Sequence, residues 1–124
     1  RGLGDVYKRQ IESVAYQTSD LFVSMRKDGL NPKSVKVDGG MVSNNWFVQF
    51  LSEILKIKIT RSKINETTAL GAAYMAGYQT GIYRSLSDIK QNWKKDRDFK
   101  PKFNKSYRNK LLQGWQQAIK KTLA

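Results

Sequence analysis

Residues 34–51, SVKVDGGMVSNNWFVQFL, set two adjacent glycines between a short apolar run and an amphipathic one. The first four residues alternate polar and apolar, the pattern of a half-buried strand. The last carry Phe47, Phe50 and Leu51, with Ile54 beyond them, on one helical face, and Ser43 or Asn44 offers an N-cap. A strand that runs through Gly39 and Gly40 into a helix start gathers unpaired amide N–H groups and the positive end of a helix dipole at one point. Phosphate oxygens bind such a point, and bare backbone lets them touch it. Ser43, Asn44 and Asn45 then offer hydrogen bonds to a ring or ribose. A tight turn uses the same two glycines, so the stretch alone leaves both readings open.

Upstream, Ile11, Val14, Ala15, Thr18, Leu21, Phe22 and Met25 follow helical spacing and predict a helix over 11–27, ended by Gly29 and Pro32. Downstream, KIKIT (56–60) alternates as a strand with one wet face near a sheet edge. A small-residue helix follows over 67–79, with Asn65 as its cap. Ser85 and Asp88 form a capping box for a short helix carrying Leu86, Ile89 and Trp93. DRDFKPKFNK (96–105) reads as a polar connector broken by Pro101, and an amphipathic helix with Tyr107, Leu111, Trp115, Ala118, Ile119 and Leu123 closes the chain. The tryptophans read as packing residues. The order is α/β, but two strands make a poor sheet for so many apolar helix faces. The expectation is the C-terminal part of a larger domain: an incomplete sheet with flanking helices.

Residues 1–10, RGLGDVYKRQ, carry no helical apolar face and read as a non-native junction. Residues 11–84 then form the ligand-binding part, and residues 85–124 a helical extension of the same domain.

The 124 residues contain no Cys and no His. That removes disulfides, Cys/His metal sites, thiol nucleophiles and Ser-His triads. No apolar run approaches the ~20 residues that span a bilayer, and no secretory pattern opens the chain, so a cytoplasmic location without membrane partners is expected. The net charge of +13 is uneven: residues 1–89 carry +4 and residues 90–124 carry +9. A small basic module binding nucleic acid through 90–124 is the alternative reading. The basic residues sit at polar helix positions without an aromatic platform, which favours a solvated face and no nucleic-acid partner.

NETTALGAAYMAG (65–77) follows VDGGMVSNNWFVQFLSEIL (37–55). The pair resembles the C-terminal nucleotide-binding region of the FGGY carbohydrate kinases, and within them the branch that acts on glycerol. The likeness runs from IESVAYQTSD (11–20) past AGYQTG (76–81) to YRNKLLQGWQQAIKK (107–121), and ETTALGAA, VDGG and the NN-x4-F spacing carry it. It implies an actin-like, ribonuclease-H-like ATPase fold of two α/β domains. It implies transfer of a phosphoryl group from ATP, with Mg²⁺, to glycerol, and a homo-oligomer when the enzyme is complete. Carried over by motif, Gly40 and Asn44 contact ATP or ADP and Gly39 shapes the same turn. Asp38 would hydrogen-bond the turn's amides, and Glu66 and Thr67 would open a helix packed behind it. The catalytic base, the loop for the transferred phosphoryl group and the glycerol-gripping residues belong to upstream family segments. The resemblance therefore assigns no catalytic residue and no metal ligand to this chain, and expects it to be inactive alone.

Overall fold

A computed structural model describes residues 2–64 and 66–123, so the cap expected at Asn65 lies outside the described residues. In chain order the elements are α1 (Leu3–Lys27), β1 (Ser34–Val37), a 3₁₀ turn (Gly40–Ser43), α2 (Asn45–Leu55), β2 (Lys58–Ser62), α3 (Thr67–Gln79), α4 (Leu86–Gln91), β3 (Lys95–Phe99) and α5 (Lys105–Leu123). One sheet has the order β1-β2-β3. β1 runs parallel to β2 with Val35 opposite Ile59, and β3 returns antiparallel with Phe99 opposite Ile59.

The stretch expected as a polar connector contains β3, and β2, expected near an edge, is the central strand. Lys95, Asp96 and Arg97 stay exposed, and only Phe99 at the strand's end is buried. An edge strand needs one partner's backbone and no apolar alternation, and outward charges protect its free side. Its pairing is visible in the side chains: Asp98 accepts from Thr60 Oγ1 (2.7 Å) and from Lys95 Nζ (2.9 Å). The Thr60 bond, and then Lys95, hold the Asp98 carboxyl below the ordinary aspartate value of 3.8. A depressed folded-state value stabilises above pH 3.8, and the contribution is lost as pH falls through the lower folded-state value. Urea midpoints measured at pH 7 and pH 3 should therefore drop less in Asp98→Asn than in the unsubstituted chain.

α2 sits at the centre. Its Phe47, Val48, Phe50, Leu51, Ile54 and Leu55 join Ile59 and Phe99 of the sheet and Ala15, Tyr16 and Phe22 of α1 in one core, with Leu111, Leu112 and Trp115 of α5 packed against it. The single apolar face expected for α2 is thus too narrow, since Ser52 and Glu53 are buried as well. Sheet and helices together enclose it, and Ser52 Oγ reaches the carbonyls of Ile57 (2.9 Å) and Phe99 (3.2 Å). A buried hydroxyl is stable only with such partners.

α1 begins at Leu3 and not at residue 11, and the face it buries is Glu12, Ala15, Tyr16, Ser19 and Phe22. Ala15, Tyr16 and Phe22 touch the core, whereas Leu21, on the stripe that periodicity predicts, is 59% exposed. α5 is held to this layer by polar ties as well as packing. Arg108 Nε donates to Ile54 O (2.8 Å), which places a cation at the C-terminus of α2, and Trp115 Nε1 donates to Asp20 Oδ2 (2.7 Å) while its ring stacks on Tyr16. Trp93 lies just beyond α4 and not within it, with Lys36 Nζ 3.9 Å from its ring centroid. Among the described residues no helix is long and apolar enough to cross a membrane.

Candidate functional site

β1 ends at Val37, and the chain then leaves the sheet beside α2. Gly39 adopts φ 93°, ψ 173°, a region that only glycine enters without strain. Gly40 opens the 3₁₀ turn, and Ser43 Oγ braces it by donating to Gly40 O (2.7 Å). Asn44 follows in an extended conformation (φ −74°, ψ 106°) and caps α2, its Oδ1 accepting from Phe47 N at 3.2 Å. Gly39 and Gly40 therefore stand at the carboxyl end of β1, one short turn before the positive end of an eleven-residue helix.

The N–H groups of Gly39 and Gly40 have no protein acceptor among the described residues. Gly40 is exposed, its φ is outside the left-handed region, and a Cβ built on it meets nothing within 4 Å. Neither packing nor dihedral strain demands glycine at position 40. An anion resting on those amides would meet bare backbone.

Asp38 departs from expectation. Its Oδ2 accepts from the hydroxyl of Thr67, the first residue of α3, instead of from the turn's amides. The carboxylate thus ties the strand end to α3, whose N-cap, Glu66, makes no side-chain capping bond. The small residues Ala69, Ala72, Ala73 and Ala76 remain exposed along α3.

Arg61 on β2 is the residue of this region that the sequence conceals. Its Nε donates to Asp96 Oδ2 (2.7 Å) and Nη2 pairs with the same oxygen (2.6 Å). Its Nη1 reaches Val42 O (2.8 Å), Asn45 Oδ1 (2.9 Å) and Ser43 O (3.3 Å). A concavity of about 210 Å³, lined by Ser43, Arg61, Ser62, Lys63 and Asp96, adjoins the turn at Ser43. Its partner Asp96 is 35 residues away on a strand that carries no apolar signal, so nothing in the local sequence marks the pair. Among the described residues there is no group of three or more His, Cys, Asp or Glu that could hold a metal ion.

Residues 1–80 match the C-terminal domain of the FGGY family of carbohydrate kinases. Glycerol kinase 1 of Pseudomonas aeruginosa is 45% identical over 120 residues, which cover 97% of this chain and 24% of that protein. The chain thus spans about a quarter of the length of the curated relatives it matches. Plasmodium falciparum glycerol kinase, solved with ADP, superimposes with a TM-score of 0.80 at 36% identity, over 92% of this chain and 23% of that one. The xylulose kinase of Lactobacillus acidophilus shares the fold at 21% identity, with a TM-score of 0.76 over 92% of this chain and 24% of that one. The mixed α/β arrangement described above is the C-terminal part of an actin-like, ribonuclease-H-like ATPase domain, with an incomplete sheet flanked by helices. On the match over residues 1–80, this chain belongs to the FGGY family of carbohydrate kinases.

Proposed function

We propose that this chain supplies part of the nucleotide site of an ATP-dependent kinase that converts glycerol to glycerol 3-phosphate. The observation that carries the reading is Gly40: exposed, unstrained, with open space where a Cβ would stand and with unpartnered amides just beyond the end of a strand. Protein packing leaves that glycine unexplained, and a nucleotide phosphate explains it. Asn44, whose Oδ1 caps α2, keeps its amide N–H groups for the nucleotide, and Gly39 supplies the bend. Likeness to glycerol kinases, one of them solved with ADP, supports both the nucleotide and the alcohol.

In this reading a glycerol hydroxyl oxygen attacks the γ-phosphorus in line, and the bond from that phosphorus to the ADP oxygen breaks. A carboxylate outside residues 11–124 takes the hydroxyl proton. Residues 11–84 position ADP, residues 85–124 brace them, and the chain alone does not turn over. In this reading Mg²⁺ enters with the nucleotide's phosphates, as such ions do in phosphoryl-transfer sites.

Calorimetric titration of the 124-residue chain tests the proposal. Weak, saturable ADP binding is expected. Affinity for duplex DNA that falls about a thousandfold or more between 50 and 200 mM salt, with no ADP binding, would replace it with the basic-module reading.

A further inference from the structure

We infer that Arg61 is a positioning residue of the nucleotide turn, locking the segment 42–45 onto the sheet so that the Gly39–Gly40 amides point outward. The inference rests on the nucleotide reading above and adds to it a residue that contacts no ligand. Nearly every donor of the guanidinium is committed to this task. One edge grips Asp96 on β3, and Nη1 grips the carbonyl of Val42 and the side chain of Asn45. The Arg61 side chain is 12% exposed, whereas Asp96 is 41% exposed, so the guanidinium is held mainly on its inner side, and its bonds to Asp96 are charge-assisted.

Geometry gives the direction of the effect. In a helical turn the carbonyls point toward the C-terminal end and the N–H groups toward the N-terminal end. Arg61 holds the carbonyls of Val42 and Ser43, at the C-terminal end of the 3₁₀ turn. Fixing that end on β2 leaves Gly40, the first residue of the turn, at the opposite end, with Gly39 just before it. Asn44, between the gripped residues 43 and 45, is oriented by the same clamp. Asp96 makes β3 part of the device, because its carboxylate sets the plane of the guanidinium. The bond runs from the middle of the sheet to an edge strand otherwise joined to β2 by the ladder and by the Thr60–Asp98 pair.

The test measures ADP affinity by calorimetry, together with ¹H–¹⁵N spectra, in the 124-residue chain carrying Arg61→Met, Arg61→Lys or Asp96→Asn. Arg61→Met should weaken ADP binding about tenfold or more, the scale of loss when a partner that orients a ligating group is removed. The resonances of Gly39 and Gly40 should move while those of Val35 and Ile59 in the β1–β2 ladder stay. Arg61→Lys should recover little, because one ammonium cannot reach Asp96 and Val42 together. Asp96→Asn should fold and show a smaller loss with the same pair of glycine shifts. A lower melting temperature with unchanged ADP affinity, or an Asp96→Asn chain indistinguishable from the parent in both readouts, overturns the inference and leaves the nucleotide reading standing. Absence of saturable ADP binding in the unsubstituted chain overturns the nucleotide reading, and this inference with it.

Discussion

Gly40→Val is expected to abolish saturable ADP binding while leaving the chain as stable as before. Few substitutions separate function from folding so cleanly, and the separation follows from the surroundings of this residue. A Cβ at position 40 meets no heavy atom within 4 Å, and its backbone is not left-handed, so a side chain can start there without overlap or backbone strain. Its cost to stability should stay within the ±0.5 kcal/mol or so of ordinary surface substitutions. In the nucleotide reading phosphate oxygens come within hydrogen-bond distance of the Gly39 and Gly40 N–H groups, and γ-methyl groups at position 40 would crowd that approach. Loss of binding should therefore be complete, and Gly40→Ala should be intermediate. Denaturant unfolding beside the ADP titration provides the check. An unchanged ADP affinity in Gly40→Val would remove the phosphate argument and leave the function resting on family likeness.

The second large effect concerns folding. Glu53 on α2 is 2% exposed, a carboxylate inside an apolar layer. Its Oε2 accepts from the backbone N–H groups of Lys102 (2.6 Å) and Phe103 (2.7 Å), and its Oε1 accepts from Gln49 Nε2 (2.5 Å). Gln49 Nε2 also donates to Lys100 O (2.9 Å), so the two side chains fasten the segment between β3 and α5 to α2. Glu53→Ala removes the acceptor for two main-chain donors and leaves a gap in a packed layer. Charge-assisted bonds are worth about 1.5–3 kcal/mol each, but Lys102 and Phe103 are exposed enough to find water, so a loss of about 3 kcal/mol is expected. Glu53→Gln keeps the shape and one oxygen but turns a donor toward donors, and about half that loss should follow. Urea unfolding checks the magnitude. Hydrogen exchange checks the mechanism: protection should fall first in α5, whose entry the carboxylate organises. Equal loss of protection across β1 and α2 would mean that Glu53 supports the core in general and not the docking of α5.

The contrast between these two residues tracks what the linear chain can and cannot reveal. Gly40 was legible because its signal is local: a strand pattern, two bare positions and a capping Asn44 lie within a dozen residues, and each acts on its immediate neighbours. The parallel pairing of β1 with β2 follows from the same stretch, since a crossover helix between two strands brings them side by side. Glu53 was not legible. On periodicity it belongs to the polar side of α2, and only the return of residues 100–103 over that side turns a solvated carboxylate into a buried anchor.

By itself, then, the sequence determined the order of the helices from residue 11 onward, the strand–turn–helix that presents Gly39 and Gly40, and a cap at Ser43 or Asn44, because hydrogen bonds and apolar spacing within a turn or two suffice for them. Tertiary structure alone decided that charged residues 95–99 form an edge strand, that β2 is central, that Asp38 serves Thr67 and that Arg61 grips both Asp96 and the turn. In each of these the partner lies 16 or more residues away, so no local pattern in the chain names it and the contact exists only once the chain has folded back on itself.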